Sequence, residues 1–122
     1  MRKTFPATSR LKRPSEYVQA LKGRRISRGV LFVVNTPRAA SDVSPPAQAR
    51  LGLIVPKRLA PRAVTRNQIK RILREVFRLQ RHELPARDYV FRLQSKVPDI
   101  SLTQLKQLVR SEALEHMRRI RQ

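Results

Sequence analysis

The sequence has no cysteine and no tryptophan, three glycines, six aromatic residues, and 8 acidic residues against 28 Lys and Arg. Without cysteine there can be no disulfide, thiolate metal site or cysteine nucleophile. The scarcity of carboxylates removes the clusters that a self-sufficient metal-dependent nuclease needs. No two of Glu16, Asp42, Glu75, Glu83, Asp88, Asp99, Glu112 and Glu115 share metal-ligand spacing. Neither His82 nor His116 has ligand spacing, and each is expected to be a solvent-exposed polar residue near a helix end. Glycine-rich phosphate loops are missing. Sparse aromatics argue against extended base stacking as the main mode of any nucleic-acid contact. The N-terminus, MRKTFPATSRLKRP, lacks the apolar run of a signal peptide, and no segment approaches membrane-spanning length. The expectation is a soluble, cytoplasmic binder with no catalytic residue, metal site or cofactor of its own, and with no membrane partner.

What is present is cationic charge, +20 over 122 residues, a length that suits one domain spanning residues 1–122. A surplus of that size implies phosphate as the partner. The charge concentrates in Lys57 to Arg81, KRLAPRAVTRNQIKRILREVFRLQR, with nine basic residues and one acid, Glu75. Ile69, Ile72, Leu73, Val76 and Phe77 recur at helical spacing and form one face. At about 100° per residue, Asn67, Lys70, Arg71, Arg74, Arg78 and Arg81 fall on the opposite arc. Every fourth residue from Arg62 through Arg66, Lys70 and Arg74 to Arg78 is a cation, a pattern that costs helix stability unless a partner supplies counter-charge. Pro61 precedes the helix, and Thr65 with Gln68 reads as its capping box.

Around this helix the chain reads as follows. Residues 1–13 are basic and expected to be mobile until bound. Tyr17, Val18 and Leu21 line a short first helix that Gly23 ends, and GRRISRG is a basic turn. VLFVV, Val30 to Val34, is a covered strand, and residues 36–49, rich in Pro, Ser and Ala, form a flexible connection. RLGLIV from Arg50 is a second strand, Pro85 stops the basic helix, and Asp88 to Leu93 alternates as a third. Ser101 with Gln104 caps a last helix marked by Leu102, Leu105, Leu108, Val109, Leu114, Met117 and Ile120. Its final turns carry Arg110, Arg118, Arg119 and Arg121. The fold class is α+β, a single two-layer sandwich in the order α-β-β-α-β-α with room for an extra short strand. The strand–basic helix–strand unit is a βαβ crossover, for which right-handedness is the default.

The string RNQIKRILREVFR, preceded by VPKRLAPRAVT, resembles the signature of the bacterial ribonuclease P protein family, and the order of elements matches along the whole chain. The resemblance implies an RNA-binding subunit that joins a catalytic RNA and promotes removal of the 5′ leader of precursor tRNA, the RNA using Mg²⁺ for the hydrolysis. It places Arg66, Asn67, Lys70, Arg71, Arg74 and Arg78 on the RNA-binding helix, with Lys57, Arg58 and Arg62 before them. It lines a leader cleft with Tyr17, Leu21, Phe32 and Val34, with Arg66, Asn67 and Lys70 at its edge. Leu21 and Val34 stand where some relatives carry aromatics, which leaves Tyr17 and Phe32 as stacking platforms. It also implies a left-handed crossover. The alternative reading is a ribosomal or other structural RNA-binding protein, which would share the charge and fold class. A DNA reader is not expected, because nothing suggests the dimer that half-site recognition uses.

Overall fold

The computed structural model describes residues 10–11, 14–37 and 48–121. A helix α1 (Pro14–Lys22) leads into strands β1 (Arg24–Arg28), β2 (Phe32–Thr36) and β3 (Arg50–Ile54). Helix α2 (Ala63–Gln80) ends in a single 3-10 turn, and strand β4 (Asp88–Leu93) and helix α3 (Leu102–Arg121) complete the chain. The sheet order is β1-β2-β4-β3, antiparallel except for the β3–β4 pair, which α2 connects. The architecture is the expected α+β layering, with β1 filling the place left for an extra strand.

Strand alternation divides the side chains between two layers. Phe32, Val34, Leu51, Tyr89, Phe91 and Leu93 join Ile69, Ile72, Leu73, Val76 and Phe77 of α2 and Leu105, Val109, Ala113 and Met117 of α3 in the main core. On the other face, Val90 packs with Ala20 of α1 and with Leu11, and Tyr17 and Ile54 lean on them. Arg50 ties α1 to this layer, reaching Glu16 at 2.6 Å and the two carboxylate oxygens of Asp88 at 2.7 and 2.8 Å. All five apolar residues expected on the inner face of α2 are buried. Ile72→Ala is therefore expected to lower folding stability by about 2–4 kcal/mol. Arg71→Ala, on the exposed side, should stay within about 0.5 kcal/mol. Paired denaturant titrations check this, and the reverse ranking would mean the inward face is wrong.

Several expectations are corrected. GRRISRG is strand β1 rather than a turn, held by pairing with β2 through a bulge at Ile26. β2 begins at Phe32, two residues later than its apolar run suggested, because Val30 sits in the preceding turn at 78% exposure. The expected 36–49 connection starts inside β2, since Thr36 is its last residue, and residues 38–47 lie outside the described residues. So do most of residues 1–13, but Arg10 and Leu11 are placed: the Leu11 N–H donates to the Leu51 carbonyl at 2.9 Å, a parallel bridge on the outer edge of β3. Helix α2 starts at Ala63 with Arg62 as an N-cap whose side chain makes no capping bond, so Thr65 lies inside the helix and caps nothing. The second capping box holds: the Gln104 N–H donates to Ser101 Oγ at 3.1 Å and the Ser101 N–H to Gln104 Oε1 at 3.1 Å.

In α3 the buried seam is Leu105, Val109, Ala113, His116 and Met117, whereas Leu102, Leu108 and Leu114 face outward. His116 thus corrects its expected exposure. It is fully buried, edge-on to Phe91, with Nδ1 against Ser27 Oγ at 2.5 Å and Nε2 against Glu112 Oε2 at 3.1 Å. Glu112 also accepts the backbone N–H groups of Leu31 and Phe32 at 2.8 and 2.7 Å. A β-carbon on Gly29 would stand 2.7 Å from Glu112 Oε2, so this close approach needs glycine there.

Candidate nucleic-acid interface

The sequence puts a proline-rich turn before α2, and the structure uses it to aim cations outward. The Leu59 and Ala60 N–H groups both donate to the Pro56 carbonyl at 3.1 Å, closing a turn with Lys57 and Arg58 at its exposed tip. Val97 N–H donates to the Leu59 carbonyl at 3.0 Å and fixes the turn to the β4–α3 loop. Arg66 Nη1 reaches back to the carbonyls of Ala60 and Pro61, each at 2.8 Å, so part of its guanidinium is spent bracing this entry.

Along α2 the outward arc is as the periodicity requires. Arg62, Asn67 and Arg71 are exposed, and Lys70, Arg74 and Arg78 are half-buried along the flanks. Arg78 has Glu75 at 2.8 Å as a partner, and no salt bridge among the described residues involves Arg71 or Arg74. Arg81 departs from the arc: the chain tightens into the 3-10 turn there, and the side chain is buried with Nε lacking a hydrogen-bond partner among the described residues.

Beside the helix lies an open pocket of about 170 Å³ lined by Arg10, Leu11, Tyr17, Leu51, Leu53, Lys70 and Arg74. The Tyr17 hydroxyl donates to the Leu11 carbonyl at 3.2 Å, and the ring is seated on Gly52. A β-carbon at that glycine would fall 2.8 Å from both Tyr17 Cε1 and Leu11 Cδ1. Burial, with repulsion from Arg10 added, lowers the Arg74 guanidinium below its ordinary pKa. Like charges held close in a partly dry site disfavour each other's charged form, and an arriving anion relieves that repulsion.

The pocket brings together Tyr17, Lys70 and Arg74, but not the rest of the expected cleft. Phe32 and Val34 are fully buried under α2 and α3, on the far side of the sheet from α1. The pairings of Asn35 with Val90 and of Val33 with Arg92 put Val33 and Asn35 on the α1 side instead. Leu21 is exposed on α1 and does not line the pocket, and neither do Arg66 and Asn67. Sequence reasoning missed Arg10, Leu11, Leu51 and Leu53. The available signal was Gly52, since a glycine inside a strand marks a close approach. Among the described residues no three His, Asp or Glu side chains group to hold a metal ion, and no helix is long and apolar enough to cross a membrane.

The match to known proteins covers nearly the whole chain. The family model described as Ribonuclease P matches residues 5–119. The ribonuclease P protein component of Bordetella avium is 58% identical over 117 residues, 96% of this chain and 95% of that protein. The component of Paraburkholderia xenovorans is 37% identical over 113 residues, 88% of this chain and 77% of that one. Among solved structures, the Staphylococcus aureus RNase P protein superposes with a TM-score of 0.67 at 28% identity, covering 92% of this chain and 94% of that one. The Thermotoga maritima RNase P protein shares the fold at a TM-score of 0.61 and 21% identity, over 89% of this chain and 94% of that one. With its basic helix, its Arg-Asn-x-x-Lys-Arg string and this end-to-end similarity, the chain belongs to the ribonuclease P protein family.

Proposed function

We propose that the protein binds the catalytic RNA of ribonuclease P through the outer arc of α2 and holds the 5′ leader of precursor tRNA in the neighbouring pocket, so that the RNA removes the leader. The observation that carries this reading is the pocket itself. It sets the half-buried Tyr17 ring beside Arg10, Lys70 and Arg74, a stacking surface with phosphate partners around it. The exposed Lys57, Arg58, Arg62, Asn67 and Arg71 continue the same cationic side toward a larger RNA. Mg²⁺ on this reading belongs to the RNA, and the hydrolysis takes no step on the protein's own side chains, among which the described residues gather no metal-holding group. Their work is to bind and to orient.

Adding the protein to the catalytic RNA at low Mg²⁺ should stimulate precursor-tRNA cleavage, while the protein alone leaves the precursor intact. Tyr17→Ala should weaken precursor binding by about 1–3 kcal/mol and leave mature tRNA, which has no leader, unaffected. Equal weakening of both forms at unchanged protein stability would remove the leader from this pocket.

A further inference from the structure

The edge of the sheet remote from α2 carries a second concentration of positive charge that the reading above does not use. β1 is the outermost strand there, and three of its five residues, Arg24, Arg25 and Arg28, are exposed arginines. The bulge at Ile26 changes the strand's phase: Arg25 opposes Asn35 and Arg28 opposes Val33, which puts both on the α1 face, while Arg24 opposite Thr36 lies on the other. The guanidinium groups therefore wrap the edge from both sides. Exposed Lys22 ends α1 next to them. From the helical layer, Arg119 crosses to donate to the Arg28 carbonyl at 2.8 Å. Glu112, which approaches Gly29, is taken up by the Leu31 and Phe32 N–H groups and by His116, and Glu115 beside Arg119 is engaged by Arg118 and Arg119. No salt bridge among the described residues neutralises Lys22, Arg24, Arg25 or Arg28.

Charge on an edge strand also serves to prevent strand-to-strand aggregation, a role that does not call for one sign of charge on both faces. A set of one sign wrapped around both faces goes further, because unrelieved repulsion favours a polyanion. The chemistry of the edge narrows the choice. Among the described residues the aromatic side chains of β2, α2 and β4 are buried and Tyr17 sits at the opposite edge, so the described β1 edge offers phosphate contacts without a platform for unstacked bases. β1 and β3 are the two opposite edges of the sheet, so partners at the two edges approach from opposite sides and need not collide.

We propose that the β1 edge is a second phosphate-binding surface that takes the backbone of an RNA double helix while α2 holds another RNA segment, making the protein a bridge between two RNAs. The test uses the full chain and two short blunt RNA duplexes, one labelled red and one green, with coincidence of the two colours as the readout. The unaltered protein should join the colours. The double variant Arg24→Glu and Arg28→Glu should still bind a single duplex through α2 but lose coincidence at least tenfold, with an unchanged thermal melt because neither side chain takes part in a salt bridge among the described residues. The neutral pair Arg24→Gln and Arg28→Gln should fall between them and serves as the test if charge reversal disturbs the fold. Undiminished coincidence in both double variants, or joining of single strands in preference to duplexes, overturns the proposal. The function proposed above fails separately, by loss of stimulation of the catalytic RNA, since these substitutions leave α2 and the Tyr17 pocket untouched.

Discussion

Replacing both Arg71 and Arg74 with alanine is expected to change RNA binding more than any other pair on α2. If roughly six phosphates are neutralised, the log–log slope of affinity against salt lies near −4 to −5, and each contact removed flattens it by close to one unit. The double variant should thus show a slope near −2 to −3 and lose roughly 30–100-fold in affinity at about 0.1 M salt. These two residues lead the ranking because of their surroundings. Arg71 is exposed, Arg74 is held in a partly dry site against Arg10, and neither takes part in a salt bridge among the described residues. Arg78 already has Glu75, so phosphate binding there exchanges one anionic partner for another, and Arg78→Ala should cost less. Titrations across a salt series decide the matter. An unchanged slope in the double variant would mean that stacking or apolar burial carries the binding.

The largest effect on folding should come from Glu112. Its carboxylate accepts the Leu31 and Phe32 N–H groups and faces His116 Nε2, so Glu112→Ala leaves several buried polar groups without partners at once. Such losses cost about 1–3 kcal/mol each and do not add fully, which gives an expected destabilisation of about 3–5 kcal/mol. The melting temperature should drop by roughly 10–20 °C. Glu112→Gln keeps one acceptor oxygen and should lose about half as much. The pH dependence gives an independent reading. Burial pushes the Glu112 carboxyl up, but the hydrogen bonds from His116, Leu31 and Phe32 outweigh it and hold the group below its ordinary value. A carboxyl depressed in the folded state contributes stability that is present above its unfolded pKa and is lost as pH falls through the folded one. Glu112→Gln should therefore show a shallower acid-side loss of stability than the unaltered protein. An identical acid limb in both would mean that Glu112 is not held as the structure indicates.

How much could be read from the sequence differs from element to element for physical reasons. The inner face of α2 was fully legible, because five apolar residues at helical spacing have one arrangement that buries them all. β4 was legible to its ends because Tyr89, Phe91 and Leu93 alternate with Val90 and Arg92. β2 was harder, since the unbroken run VLFVV carries no phase. The face assigned to it rested on the resemblance alone, and with a period of two a shift of one residue exchanges inside for outside. This is why Phe32 and Val34, expected in the leader cleft, are core, while Val33 and Asn35 face α1. β1 was hidden because a strand made of arginines has no apolar pattern, and its pairing with β2 supplies what propensity does not. His116 was legible in principle. It falls on the seam of Leu105, Val109, Ala113 and Met117, and a polar residue on a buried seam calls for partners elsewhere in the chain.

The place of β4 in the sheet bears on how the protein is made. β4 is the last strand in the chain, yet it lies between β2 and β3. As the chain emerges from the ribosome, the β1–β2 hairpin and β3 therefore each present an open edge, and nothing joins them until residue 93 has been synthesised. Helix α2 meanwhile has no complete sheet on which to lay its apolar face. The sheet cannot grow strand by strand in the order of translation, and the strand that closes it comes after the whole basic helix. A nascent chain stalled before Asp88 would expose unpaired strand edges and an uncovered apolar helix face together with most of its arginines, a combination open both to aggregation and to premature capture by any nearby RNA.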